Sequence, residues 1–225
     1  MSGFLSRLFF PEFCPLCERP VKNNEINQWG CCSECYEKYI YKENQAMIVS
    51  PEFASYVNVI FCGSFYSGKL KEAMEKFKFN GETYIGKYFG RMLYSVIKNS
   101  GCIENTDFVT TVPISEERFC ERGYNQSYLI AKEFCDISGL SYVETLERNK
   151  QGTSQSSLLI EDRRKLVEER FSIKKDCPVK GSSVLLIDDI LTTGSTVNRC
   201  SSLLKEAGAS WVSVACVTGG RKEFT

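Results

Sequence analysis

The sequence predicts an α/β protein, a parallel sheet with helices on both faces, preceded by a small N-terminal four-cysteine zinc module. Three observations predict it. Strand-like apolar runs and helix-period segments alternate from about residue 57 to the end of the chain. Val184, Leu185, Leu186 and Ile187 are consecutive apolar residues, the pattern of a strand buried on both faces of a parallel sheet. Two C-x-x-C pairs, Cys14 with Cys17 and Cys32 with Cys35, stand ahead of all of this.

The N-terminal part, residues 1–50, is expected to be a zinc-binding knuckle. Each pair can form a tight turn whose thiolates point at one metal, and two such turns complete a tetrahedral four-sulfur shell. Fourteen residues separate the pairs, one fewer than the common ribbon spacing, with turn-forming Asn23, Asn24 and Gly30 between them. Cys31 competes with Cys32 for the third position, and the two-residue gap to Cys35 favours Cys32. A redox dithiol is the first alternative, although such a motif belongs in a βαβ context that is absent here. Unconnected core cysteines are the second. With twelve cysteines and no histidine in the chain, a tight zinc site has to use thiolates, and no Ser/His or Cys/His catalytic pair can exist. Cys62, Cys135, Cys200 and Cys216 sit singly in apolar stretches and read as small buried hydrophobes.

Residues 51–225 make up the main domain, a phosphate-binding one on the evidence of its motifs. A strand is expected near 57–65, then a helix burying Leu70, Ala73, Met74 and Phe77. A second helix carries Ile85, Phe89, Met92 and Val96 on one face. A strand at 108–112 ends at Pro113, and a polar segment with Arg118, Arg122 and Gly123 leads into a helix at 124–137. Strands at 142–145 and 183–188, a helix at 195–207 and a strand at 211–217 complete the alternation. The segment 148–164 is polar and contains Gly152, Thr153, Ser154, Ser156 and Ser157, so it is either a lid or a plain loop.

The chemistry concentrates at residues 184–196. Asp188 and Asp189 follow the apolar strand, where open α/β sheets place their ligands. Thr192, Thr193, Gly194, Ser195 and Thr196 then open a helix with Val197, Cys200, Leu204 and Ala207 at helical spacing. Backbone N–H groups and hydroxyls at a helix N-terminus suit a phosphate, and Gly194 permits close approach. The carboxylates would repel that phosphate, so they are expected to face hydroxyls or a metal-bound water. A ribose 5-phosphate has both ends of this pattern. No G-x-x-x-x-G-K-[ST] and no G-x-G-x-x-G occurs, which excludes the two common nucleotide loops. Arg118 and Arg122 beside Gly123 suit a diphosphate, because guanidinium forks chelate phosphate oxygens.

Residues 184–196 closely resemble the phosphoribosyl pyrophosphate signature of type I phosphoribosyltransferases. The resemblance implies that Asp188 and Asp189 hold the ribose hydroxyls, that Thr192, Thr193, Gly194, Ser195 and Thr196 cradle the 5-phosphate, and that Mg²⁺ accompanies the ligand. The order of motifs along the whole chain resembles the ComF family of bacterial competence-associated phosphoribosyltransferase-like proteins. It is carried by the two cysteine pairs, Val112-Pro113, Arg118, Arg122-Gly123-Tyr124-Asn125-Gln126 and the Asp188 signature. Lys78-Phe79-Asn80-Gly81 agrees, as do Gln155, Leu158, Arg163 and Phe171 in their spacing. Leu166 departs from the asparagine usual in that family. The resemblance implies a type I phosphoribosyltransferase-like fold with Asp188 and Asp189 as the catalytic pair and structural zinc on Cys14, Cys17, Cys32 and Cys35. It also implies a hood over the ligand, transfer of phosphoribosyl to an unknown acceptor, and a role in DNA uptake. Two alternatives are a ligand-sensing adaptor without catalysis and a protein that binds single-stranded DNA or DNA-uptake proteins.

Net charge is zero, and residues 1–50 hold five Lys and Arg against six Glu, so neither the chain nor its cysteine module has an electrostatic footprint for nucleic acid. No secretory signal and no membrane-spanning run is read from the sequence, and a cytoplasmic location is expected.

Overall fold

The structure is a computed structural model that describes residues 12–21, 27, 30–40, 47–49, 55–149 and 170–219. The N-terminal part begins with a short antiparallel ribbon, β1 (Glu12–Phe13) and β2 (Pro20–Val21), followed by one helical turn, α1 (Ser33–Cys35), that runs on as a wider turn over Tyr36–Ile40. The main sheet takes β3 (Met47–Val49), β4 (Val59–Phe65), β5 (Phe108–Thr111), β6 (Ser141–Tyr142), β9 (Ser183–Leu191) and β10 (Trp211–Gly219) in the order β3-β4-β10-β9-β5-β6. All its pairings are parallel except that of β3, an antiparallel edge strand against β4. A separate antiparallel ribbon joins β7 (Leu146–Arg148) to β8 (Phe171–Ile173). The helices are α2 (Gly68–Phe79), α3 (Ile85–Ile97), α4 (Glu116–Arg122), α5 (Gln126–Ser138) and α6 (Ser195–Glu206).

Helices cover both faces of the sheet, as the alternating pattern requires. Strand side chains alternate between two cores. Phe61, Val109, Leu185, Ile187, Ala215 and Val217 join α2, α3 and α5 on one face. Ile60, Phe108, Val184, Leu186, Val214 and Cys216 join α6 on the other. On α2 the expected Leu70, Ala73, Met74 and Phe77 are all buried. On α3 the buried stripe runs through Ile85, Phe89, Met92, Leu93 and Ile97, while Val96 is half-buried. A stripe of 3.6 periodicity drifts from residue 96 to 97 over three turns. Phe77 and Phe89 meet edge to face with centroids 5.7 Å apart, and each buried phenyl contributes roughly 1.5–3 kcal/mol. At Gly90 a Cβ would lie 2.7 Å from the Ile130 carbonyl oxygen, so α3 and α5 cross at a distance that a side chain there would prevent.

Three expectations are corrected. The polar segment after Pro113 is not a loop throughout: residues 116–122 form α4, with Ser115 Oγ accepting the Arg118 N–H at its start and Gly123 at its end. No residue of α4 is buried, so it shows no apolar stripe. The strand expected at 142–145 pairs at Ser141 and Tyr142, and the chain then leaves the sheet for β7. The strand expected to stop at residue 188 continues to Leu191, still running alongside β10. The segment 150–169, with Gln155, Leu158, Arg163, Leu166 and most of the expected hood, lies outside the described residues. No helix among the described residues is long and apolar enough to cross a membrane.

Candidate functional site

The four predicted zinc ligands come together. The Sγ atoms of Cys14, Cys17, Cys32 and Cys35 all lie within 4.8 Å of one another. Cys17 Sγ and Cys32 Sγ are 3.8 Å apart, the edge expected of a sulfur tetrahedron around zinc with bonds of ~2.3 Å. The first knuckle is closed by the Cys14 N–H on the Arg19 carbonyl at 2.9 Å and the Glu18 N–H on the Cys14 carbonyl at 2.8 Å. The donor set and the spacing therefore fit zinc. Burial would raise the Cys17 thiol, but hydrogen bonds from the Arg19 side chain and backbone and from Cys14 and Cys35 outweigh it and bring Cys17 down to about 6. A thiol of that kind is readily the thiolate a metal needs.

Cys31 is outside this set. Its thiol faces Asn27 Oδ1 at 3.7 Å and is pushed up to about 12 by burial and then by the neighbouring Cys14. Cys31→Ser is therefore expected to leave the zinc content at one per chain, measured by elemental analysis, whereas Cys32→Ser lowers it. The cysteine module also shares a core with the main domain: Cys14, Leu16, Val21, Cys31, Cys32 and Cys35 pack in one cluster with Tyr88 and Phe89 of α3. Glu18 forms an ion pair with Lys76 of α2.

At the other site, β9 delivers both carboxylates among its last four residues before the chain turns into α6. Asp188 Oδ1 accepts the Ser127 hydroxyl at 3.0 Å and the Asp189 N–H at 2.9 Å. Ser127 is buried in the first turn of α5, which Asn125 caps by accepting the N–H of Ser127 at 3.0 Å and of Tyr128 at 3.4 Å. Asp189 has a different partner, its Oδ2 2.8 Å from Lys78 Nζ, with both side chains largely shielded from solvent. The sequence placed the pair at an open strand end, but Asp188 and Asp189 are half-buried.

Thr192 and Thr193 are exposed, and Gly194 has φ +70°, a left-handed conformation that a residue with a Cβ adopts at a cost. Gly194 caps α6 without a side chain, so the N–H groups of its first turn have no side-chain cap. Thr193 Oγ1 and Ser195 Oγ are 3.0 Å apart at this helix start. The structure thus brings Asp188, Asp189 and residues 192–196 into one contiguous site.

The two arginines of α4 part company. Arg118 is exposed; Arg122 donates to Gln126 Oε1 at 3.1 Å and lies 5.2 Å over the Phe79 ring. Lys78 and Ser127, the partners of the two carboxylates, had no role assigned from sequence. The signal for Lys78 was the Lys-Phe-Asn-Gly stretch at the end of α2; none pointed to Ser127 as the donor to Asp188.

Burial, and then the charge of Asp189, push Asp188 up to about 7, against hydrogen bonds from the Asp189 N–H and Ser127 and the charge of Lys78. A carboxyl whose folded pKa lies above its unfolded value of about 3.9 favours the folded state below that lower value. The contribution is lost as pH rises through the folded pKa. Without ligand, Asp188→Asn should therefore melt at a higher temperature than the parent at pH 8, with the difference shrinking toward pH 4. A difference that is constant with pH would show that Asp188 is ionised throughout.

Comparison with known proteins places this geometry. The phosphoribosyl transferase domain model matches residues 125–223, the stretch that carries Ser127, both carboxylates and the α6 N-terminus. Competence protein F of Haemophilus influenzae is 27% identical over 210 residues, covering 89% of this chain and 87% of that protein. Competence protein ComFC of Streptococcus pneumoniae is 33% identical over 144 residues, 64% of this chain and 60% of that protein. DNA utilization protein YhgH of Salmonella typhimurium is 25% identical, over 93% of this chain and 98% of that protein. Among solved structures, an allosteric regulatory enzyme of purine biosynthesis matches 60% of this chain at 26% identity and a TM-score of 0.44, and the match spans 25% of that longer enzyme. The chain is a homologue of the competence proteins F and ComFC and of YhgH, with a phosphoribosyl transferase domain match over residues 125–223 and a cysteine knuckle fit for zinc.

Proposed function

We propose that this protein binds phosphoribosyl pyrophosphate with Mg²⁺ and transfers the phosphoribosyl group to an acceptor, in a process connected with DNA uptake or utilization. The observation that carries the reading is the junction of β9 and α6, where two adjacent carboxylates precede a side-chain-free helix start. Asp188 and Asp189 would accept from the ribose 2- and 3-hydroxyls, and the N–H groups and hydroxyls of residues 192–196 would hold the 5-phosphate. Arg118, on α4, would take the diphosphate. Asp188 and Asp189 are also the oxygen donors of the site, and a hard cation that keeps most of its waters suits them. Bound Mg²⁺ would supply charge neutralisation to the diphosphate.

The protein's own contribution is positioning and electrostatics. Ser127 and the Asp189 N–H fix the Asp188 carboxylate, and Lys78 holds Asp189 in the free protein. Charge then develops on C1 of the ribose beside the two carboxyl groups, which in their ionised form stabilise an oxocarbenium-like centre. The names of the relatives, competence proteins and DNA utilization proteins, support the biological setting.

Pyrophosphate release from Mg²⁺–phosphoribosyl pyrophosphate tests the transfer step. Release above the background rate on adding a nitrogen nucleophile, and loss of it in Asp188→Asn, is expected. Tight binding with no release across a panel of candidate acceptors would make the protein a ligand sensor instead.

A further inference from the structure

At the end of the sheet opposite the two carboxylates, the starts of three strands are left open on one face. Val59 and Phe61 of β4, Trp211 and Ser213 of β10 and Ser183 of β9 line a cavity of about 570 Å³ there. Their register makes them neighbours: Val59 is paired with Ser213, and Ser183 with Trp211. Along the same strands Asp188 is paired with Cys216, five residues further on, which is about 16 Å at the rise of a parallel strand. The cavity is therefore separate from the β9–α6 junction.

Its floor belongs to the face that α3 covers, but α3 stops at Ile97. The chain then makes a turn that forms a second wall. Ser100 Oγ donates to the Ile97 carbonyl, Asn105 Nδ2 to the Gly101 carbonyl and Thr106 Oγ1 to the Cys102 carbonyl, each at 2.7 Å. Side chains thus tie the turn down at three points, and the wall is built before any ligand arrives. Ser213, 1% exposed, accepts the Trp211 Nε1–H at 3.0 Å, which orients the indole. Two polar groups are left over. Among the described residues, Asn105 Oδ1 accepts no hydrogen bond and the Ser213 hydroxyl donates none.

The lining chemistry narrows the occupant. No lining residue is charged, and α3 ends three residues before Ser100, with the negative end of its dipole beside the cavity. Both facts disfavour a phosphate or a carboxylate. A lipid chain would bury the hydroxyls and the amide unpaired, at a cost. The volume falls within the range of about 300–1,000 Å³ usual for small-molecule sites. Trp211 is 47% exposed and offers an aromatic face on which a planar ring can stack. A ring edge that carries both N–H donors and nitrogen or oxygen acceptors matches Asn105 Oδ1 and the Ser213 hydroxyl.

We propose that this cavity binds an uncharged planar nitrogen heterocycle of nucleoside size, stacked on Trp211 with its polar edge toward Asn105 and Ser213. The site shares no residue with the β9–α6 junction and stands independently of the function proposed above.

Trp29 and Trp211 are the two tryptophans of the chain, so in Trp29→Phe the emission reports on Trp211 alone. Titration of that full-length variant with adenosine, guanosine, cytidine and uridine should give saturable quenching by at least one of them, matched by calorimetry on the parent. Trp211→Leu, at a half-exposed position that does not endanger folding, should weaken that nucleoside by about tenfold or more. Ser213→Ala should weaken it by about threefold or more. Mg²⁺–phosphoribosyl pyrophosphate should not displace it. Binding of none of the four nucleosides, or unchanged affinity in Trp211→Leu, overturns the site. Displacement by phosphoribosyl pyrophosphate overturns it too, because it puts the nucleoside at the β9–α6 junction. Quenching by dodecanol and by no nucleoside would make the cavity a lipid cleft, and Trp211 emission that follows protein concentration would make it a self-association face. Either result replaces the heterocycle.

Discussion

Asp188→Asn combined with Asp189→Asn is expected to lower affinity for Mg²⁺–phosphoribosyl pyrophosphate by roughly ten- to a few hundred-fold. Each carboxylate would accept a hydrogen bond from a ribose hydroxyl, and a charge-assisted bond of that kind contributes roughly 1.5–3 kcal/mol, with about 1.4 kcal/mol per factor of ten. The amides keep the shape and remove the charge. The double variant also leaves Lys78 without its ion-pair partner in a largely shielded position, so circular dichroism has to confirm folding before calorimetry is read. Asp188→Asn alone avoids that complication, because the Lys78–Asp189 pair survives. Gly194→Val attacks the same ligand from its phosphate end. A β-branched side chain at φ +70° is strained, and its bulk obstructs the helix start where the phosphate would lie. Binding should be abolished. Undiminished binding in the double carboxylate variant would mean that the ribose is held elsewhere.

The second large effect concerns the metal. Cys17→Ser with Cys35→Ser removes one ligand from each knuckle, and elemental analysis should then find zinc lost from the purified protein. Structural zinc contributes on the order of 10 kcal/mol in small isolated modules, and here the cysteines share a core with Tyr88 and Phe89 of α3. The damage should therefore reach α3 as well as residues 12–40, and hydrogen exchange should rise at the N-terminal half of α3. α6 packs in the other core, on the opposite face of the sheet, and its start should keep its protection. Unchanged zinc in the double variant would assign the metal elsewhere, and unchanged exchange on α3 would make the module an independent appendage.

Much of this architecture was legible because its signals are local. The two cysteine pairs, the four apolar residues of β9 and the acidic and hydroxyl residues after them are contiguous motifs. Their chemistry can be read without knowing what lies across from them. What escaped the sequence is of two kinds. α4 buries nothing, so its helix is marked by its capping serine and terminal glycine and not by a stripe. β6, β7 and β8 are two or three residues long, too short for alternation to register. The end of β9 was misplaced because acidic residues read as a strand terminus. Main-chain pairing with β10 is indifferent to those side chains and carries on through Cys216–Asp188, Thr218–Ile190 and Gly219–Leu191.

The other kind is long-range. Nothing near Asp189 in sequence identifies Lys78, and nothing near Asp188 identifies Ser127; the sheet order brings α2 and α5 to the end of β9. The same holds for Arg148 and Phe171, which stack because β7 and β8 pair. Composition predicted a neutral chain, and the neutrality is an average. Within it, Glu and Lys pair along the exposed surface of α2, as in Lys69 with Glu72 and Lys71 with Glu75.

The most direct test of the central claim is a crystal structure of the full chain with Mg²⁺ and phosphoribosyl pyrophosphate at saturation. The expected result has the ribose hydroxyls on Asp188 and Asp189, the 5-phosphate on the N–H groups of residues 192–196, and the Lys78–Asp189 pair loosened. Density for the ligand at any other place, or an unliganded β9–α6 junction in crystals grown at saturating ligand, would contradict the account.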